Sequence, residues 1–179
     1  SSYQLQDAAG VTSLNFGGGG RYLCFSACYT NRNKASSDAT ETNKVHIYNL
    51  AKMKWSRSFS IDSEFHCTRV CFDPSDTYLA SLSTKDRGGT NGSLLSGINA
   101  VTLWNIREGK IAASLHYPYN INTENNSNPA LHHSSIAKTM QRKGAMEFSI
   151  LVPHYCAVGC GNSVFLYDIH RATGARAAL

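Results

Sequence analysis

The sequence predicts an all-β repeat protein. Two observations carry that prediction: a short motif with strand periodicity occurs three times, and the segments around two of its copies repeat at one constant offset. The motif occupies Asn43–Leu50, Asn99–Ile106 and Asn162–Ile169. Each copy opens on Asn, a turn former, and alternates apolar with other residues. Each then closes on an aromatic, an Asn or Asp, and an aliphatic. Alternation with period two is the mark of a half-buried strand, and its return at long intervals marks a repeat architecture.

The repeat is larger than the motif. Trp104 lies 56 residues after Tyr48, and the same offset relates Phe16 to Phe72, Tyr22 to Tyr78 and Leu23 to Leu79. The first unit therefore begins with strands Thr12–Phe16 and Tyr22–Ala27 around a Gly17–Gly20 turn. Its counterpart has Thr68–Phe72 and Tyr78–Leu82 around Asp73–Asp76. Glycine permissiveness makes the first turn, and Asp-Pro-Ser punctuation the second. A fourth strand is predicted after each motif, at Lys54–Ile61 and Lys110–His116. The third unit is compressed: Glu147–Val152, Tyr155–Cys160, Ser163–Ile169 and a tail at Ala175–Leu179. The predicted units span 11–61, 67–116 and 147–179, and Tyr3–Gln6 can serve as the outer strand of a preceding unit.

On these residues the chain resembles the WD40-repeat β-propellers, whose blades are four-stranded antiparallel sheets with Trp-Asp at the end of the third strand. Trp-Asp stands here as Tyr48-Asn49, Trp104-Asn105 and Tyr167-Asp168, the Gly-His pair is absent unless His66 is its remnant, and the usual turn Asp is replaced by Asn43, Asn99 and Asn162. The resemblance implies about three blades of a larger propeller, because closure takes at least about four. The remaining blades are then expected as partners. It also implies a non-catalytic interaction scaffold inside the cell, cytoplasmic or nuclear. A centrosomal or cytoskeletal adaptor of the same family is an alternative. A phosphoinositide-binding propeller is disfavoured, because the Arg-Arg pair of that group is missing.

Composition narrows the other classes. The net charge of +5 is mildly basic, with Lys and Arg scattered along the chain, so a nucleic-acid or ribonucleoprotein role is carried as a second alternative. No apolar run approaches the ~18 residues of a membrane span. The six cysteines fall as Cys24/Cys28, Cys67/Cys71 and Cys156/Cys160. Residues four apart on a strand are expected to share a face roughly 13 Å apart, too far for one zinc. No metal or cofactor is expected. Gly17–Gly20 lacks the Lys-Ser/Thr of a phosphate loop, and neither a G-x-S-x-G elbow nor H-E-x-x-H occurs. His132-His133 reads as a solvated pair. No enzyme is expected.

The functional information lies in three predicted inserts: 29–42, 84–98 and 117–146. In an antiparallel four-stranded unit, the connections between strands 2 and 3 and between units fall at one end. All three inserts are of that class, so they elaborate one face, the side that such repeats often use for binding. The candidate partner-binding residues are Arg32 and Lys34 in the first insert, and Lys85 and Arg87 in the second. In the third, Asn120–Asn128 reads as disordered, and a short helix is predicted over Ser134–Gly144. It would carry Ile136 and Met140 on one side, with Lys138, Arg142 and Lys143 toward an acidic partner.

Overall fold

A computed structural model describes residues 8–31, 40–62, 64–87, 94–122, 145–160 and 163–172. Among the described residues, eleven strands form three antiparallel sheets. Sheet 1 runs in order β1 (Ala8–Phe16), β2 (Tyr22–Asn31), β3 (Thr40–Asn49) and β4 (Lys54–Ile61). Sheet 2 repeats it with β5 (His66–Phe72), β6 (Tyr78–Arg87), β7 (Leu94–Asn105) and β8 (Lys110–Asn122). Sheet 3 contains β9 (Ala145–Phe148), β10 (Tyr155–Cys160) and β11 (Ser163–Asp168), followed by one helical turn, α1 (Ile169–Ala172). The first strands of the sheets lie side by side. The Val70 amide donates to Ser13 Oγ at 3.1 Å and the Phe72 amide to Asn15 Oδ1 at 3.3 Å. Sheets stacked face to face in this way, with their first strands adjacent, are part of a β-propeller. Among the described residues, no helix is long and apolar enough to cross a membrane.

Alternation explains the stacking. Cys24, Val45, Ile47 and Phe59 of sheet 1 pack against Val70, Phe72, Leu79 and Trp104 of sheet 2. The opposite face of sheet 2, with Cys71, Ala80, Leu82, Val101 and Leu103, packs against Met146, Phe148, Cys156 and Val158 of sheet 3, and Ile169 joins that core. Trp104 is fixed by a stack on Phe59, centroids 4.7 Å apart, and by donating Nε1–H to Ser81 Oγ at 3.2 Å. Both faces of the middle sheet are thus consumed.

The outer sheets show what the middle one would look like uncovered. Leu14 and Phe16, 56 residues before Val70 and Phe72, are 56% and 60% exposed, whereas their counterparts are 0% and 6% exposed. At the other end, Val164 and Leu166 occupy the motif positions of Val101 and Leu103, and are 77% and 66% exposed against 1% for each counterpart.

The turns reuse one device. The residue after each motif aromatic caps the next turn through its side-chain oxygen: Asn49 Oδ1 accepts from the Lys52 amide (2.9 Å), Asn105 Oδ1 from the Glu108 amide (3.0 Å), and Asp168 Oδ1 from the His170 amide (3.0 Å). This Asx capping is a chemical reason for Asn or Asp at that position. Asp73 does more. Its Oδ1 accepts from the Tyr78 amide at 2.5 Å and its Oδ2 from the Ser75 amide at 3.1 Å, closing the β5–β6 turn. In the β1–β2 turn, Gly19 and Gly20 have φ of 73° and 71°, a region that glycine enters freely. Bulges repeat as well. Register shifts between Val11 and Ser13 and between Ile47 and Tyr48 recur 56 residues later, between Cys67 and Arg69 and between Leu103 and Trp104.

Several sequence expectations are corrected. Strands penetrate all three predicted inserts: β2 and β3 pair out to Asn31↔Thr40, β6 and β7 to Arg87↔Ser96, and β7 and β8 to Leu94↔Asn122. Asn120–Asn122 is therefore strand, because Tyr117, Tyr119 and Ile121 carry a period-two pattern through the polar tract. Pro118 is tolerated because β8 is the outer strand of its sheet. Asn43 and Asn99 lie buried within strands and do not make turns. Cys67 and Cys71 face opposite sides of sheet 2, since the bulge between them reverses the alternation. In the third unit, β9 stops at Phe148, and residues 149–154 turn, with Ser149 Oγ accepting from the Val152 amide at 3.0 Å. The motif strand ends at Asp168, where α1 begins. Tyr3–Gln6 and Ala175–Leu179 lie outside the described residues.

Leu82 fills the sheet 2–sheet 3 core with no exposed surface. Leu82→Ala is expected to lower stability by about 2–5 kcal/mol, measured by urea denaturation of the full-length protein. The same truncation at Leu151, 92% exposed in the turn after β9, should change it far less.

Candidate functional site

The extra length of the strands gathers at one end. β8 has thirteen residues against eight for its counterpart β4, so it reaches about 16 Å further at ~3.3 Å per residue. The additional pairs, Ile98↔Pro118 through Leu94↔Asn122, stand at the same end as the β2–β3 hairpin that pairs out to Thr40. Among the described residues, the opposite end carries short turns, including Arg107–Gly109. There the Arg57 guanidinium donates to the Arg107 carbonyl at 2.7 Å. Gly109, at φ 74°, lies where a side chain would collide with that same guanidinium.

Of the sequence-predicted partner residues, Lys85 lies on β6 and is ion-paired with Glu64, just before β5. Exposed pairs of this kind hold a side chain in place more than they stabilise the fold. Arg87 is the last residue of β6, in register with Ser96. Arg32, Lys34, Ile136, Lys138, Met140, Arg142 and Lys143 lie outside the described residues, as do the predicted helix over 134–144 and His132-His133. The structure therefore brings Lys85 and Arg87 to the base of the extended end and describes no contact between them and the other candidates.

A feature missed at the sequence level lies on the uncovered face of sheet 1. His46 in β3 is ringed by Phe25, Trp55 and Tyr29, with centroids at 5.2, 5.8 and 5.8 Å. Tyr29 Oη and His46 Nε2 share a hydrogen bond of 2.7 Å, and the Lys44 ammonium lies 5.4 Å from the Tyr29 ring centre. Burial, and then the charge of Lys44, hold the His46 imidazolium below its ordinary range, while burial raises the Tyr29 phenol. Both groups are neutral at pH 7. The signal in the sequence was the alternation of Lys44, His46 and Tyr48, opposite to the buried Val45 and Ile47.

Among the described residues, the buried cysteines Cys24, Cys67, Cys71 and Cys156 do not form a reactive centre. Burial pushes Cys24 up to about 12, Cys67 to about 11 and Cys156 to about 12, and raises Cys71 as well. They are thiols at neutral pH, not nucleophilic thiolates. Among the described residues, no group of three or more His, Cys, Asp or Glu is arranged to hold a metal ion.

No family model matches the chain, and no curated protein matches it. Solved structures do resemble it. Hydrazine synthase of Kuenenia stuttgartiensis aligns at TM-score 0.51 and 13% identity over 93% of this chain and 42% of that one. The β-propeller domain of the Trilobed protease from Pyrococcus furiosus, of open velcro topology, aligns at TM-score 0.34 and 8% identity over 92% and 56%. A chain of the mitotic checkpoint complex aligns at 0.28 and 10% over 93% and 64%. The chain thus spans between 42% and 64% of the length of these proteins. At 13% identity, the likeness to the first of these is one of fold. It corrects the expectation of no enzyme: the neighbour at TM-score 0.51 is an enzyme by name, so this arrangement of sheets occurs within enzyme chains.

A histidine whose folded-state value is depressed binds its proton more readily in the unfolded chain. Its contribution to stability is complete above about 6.5, the unfolded value, and is lost as pH falls through the folded value. His46 is accordingly expected to titrate below 6.5 by NMR. The unfolding midpoint should drop between pH 7 and pH 5, and less steeply in His46→Gln.

Proposed function

We propose that this chain is part of a WD40-type propeller that acts as a protein–protein interaction scaffold in a multiprotein assembly, engaging its partner through the extended end. The observation that carries the proposal is the one-sided growth of the strands. β8 outreaches β4 by five residues, and the β2–β3, β6–β7 and β7–β8 pairings all lengthen at the same end, while the opposite end keeps minimal capped turns. Strands, unlike free loops, hold such a surface in place before a partner arrives and so reduce the ordering cost of binding. The basic candidates Arg32, Lys34, Lys85, Arg87, Lys138, Arg142 and Lys143 belong to the segments at or leading from that end. With Ile136 and Met140 as apolar anchors, they suit an acidic partner surface. The proposal includes an intracellular setting, cytoplasmic or nuclear, where buried thiols stay reduced.

The test uses full-length protein purified from its native cells, with and without Arg87→Glu, Lys138→Glu, Arg142→Glu and Lys143→Glu combined. At least a tenfold loss of one defined protein partner, with the thermal midpoint preserved, is the expected result. Unchanged partners would reject the extended end as the binding surface. Co-purified nucleic acid that dissociates steeply with salt would replace the proposal with a nucleic-acid role.

A further inference from the structure

Between sheets 1 and 2 runs a cleft of about 200 Å³ that the core does not fill. It opens beyond the Phe59–Trp104 stack, because the next residues of sheet 2 to line it are small: Ala100 and Thr102 on β7 and Ser83 on β6. Ile61 of β4 and Ile111 of β8 add apolar wall. Phe65 bounds it with its ring edge-on to His116, centroids 5.8 Å apart, and Asn43 Nδ2 holds the Phe65 carbonyl at 3.0 Å. The cleft therefore has fixed walls.

Its polar groups are sparse and specific. The Thr102 hydroxyl has no hydrogen-bond partner among the described residues. Ser114 Oγ, by contrast, is engaged with His116 Nε2 at 3.0 Å. Among the described residues, Asp62 is the one carboxylate or other charged side chain in the lining. Its Oδ1 accepts from the Glu64 amide at 3.1 Å, which fixes the carboxylate at the rim. Among the described residues, no lysine or arginine lines the space to neutralise it.

We propose that this cleft binds a single large apolar side chain (Leu, Met or Phe) from an extended peptide segment in which the next residue is Lys or Arg. Drug-sized ligands need roughly 300–1,000 Å³, so a cleft of about 200 Å³ suits one side chain and not a cofactor. Trp104, Phe65 and the two isoleucines make the anchor site. Thr102 supplies a hydrogen bond to the peptide backbone, and Asp62 draws the neighbouring cation. The proposal rests on the reading of the chain as an interaction scaffold, and it adds a second surface, between blades, with its own recognition chemistry.

The probe is a fluorescein-labelled hexapeptide with leucine followed by lysine among glycine and serine, compared with its alanine–lysine and leucine–glutamate versions. Full-length protein is expected to bind the leucine–lysine peptide at least tenfold more tightly than the alanine version, the scale of discrimination an apolar pocket provides. The leucine–glutamate peptide should bind more weakly, and Asp62→Lys should reverse that preference. Ser114→Trp, which fills the cleft from its exposed side, should abolish binding at an unchanged thermal midpoint. In the parent, the Trp104 indole resonance should shift on titration. Equal binding of leucine and alanine peptides, full binding by Ser114→Trp, or an unmoved Trp104 resonance would overturn the proposal. Should the peptides fail while the partner captured through the extended end remains, the cleft assignment falls and the scaffold reading stands.

Discussion

The middle sheet of this protein has no hydrophilic side. Val70, Phe72, Leu79 and Trp104 press into sheet 1, while Cys71, Ala80, Leu82, Val101 and Leu103 press into sheet 3. A sheet built this way cannot stand alone in water. Burying a large apolar side chain contributes roughly 1.5–3 kcal/mol, so each face requires a cover, and the cover is another copy of the same unit. That requirement propagates outward. Leu14 and Phe16 on one flank, and Val164 and Leu166 on the other, present to solvent the same positions that the middle sheet buries. The larger propeller is implied by this unfinished burial more than by any motif.

Face-to-face stacking also dictates where variation is possible. Faces and first strands are committed to neighbours, and the capped end is held by Asn49, Asn105, Asp168 and the Asp73 network. The opposite end is free to grow, and there the strands lengthen. The outer edge is the other free region, since β4 and β8 each pair with only one strand within their sheets. Small residues behind the Phe59–Trp104 stack leave the inter-blade cleft at that edge. Both proposed surfaces are thus places that the packing leaves unused.

The strand core was legible because its signal is local. Val45 and Ile47, Val101 and Leu103, and Val164 and Leu166 alternate in plain view, and the constant offset aligned the first two units. Where structure and sequence pattern differ, particular contacts are the cause. Asn120–Asn122 reads by composition as the start of a polar tract, although Tyr117, Tyr119 and Ile121 alternate up to and through it. Asn43 was expected in a turn from its residue type, yet a partner 22 residues away, the Phe65 carbonyl, satisfies its amide inside a strand. Cys67 and Cys71 seemed to share a face until a bulge intervened, and bulges leave almost no trace in sequence. The His46 ring cluster and the cleft depend on contacts across strands and between sheets. Periodicity reports which side of a strand a residue takes, not what meets it there.

Stacking of this kind requires that further blades cover the flanks of sheets 1 and 3. Hydroxyl-radical footprinting of the full-length protein, free of partners, tests it most directly. Leu14, Phe16, Val164 and Leu166 are expected to be protected to the level of Val70 and Leu103, while Ile150 and Leu151, exposed in the β9–β10 turn, react freely. If the four flank residues react as fast as Ile150 and Leu151, both faces are open to water, and the account of stacked blades completing one another is wrong.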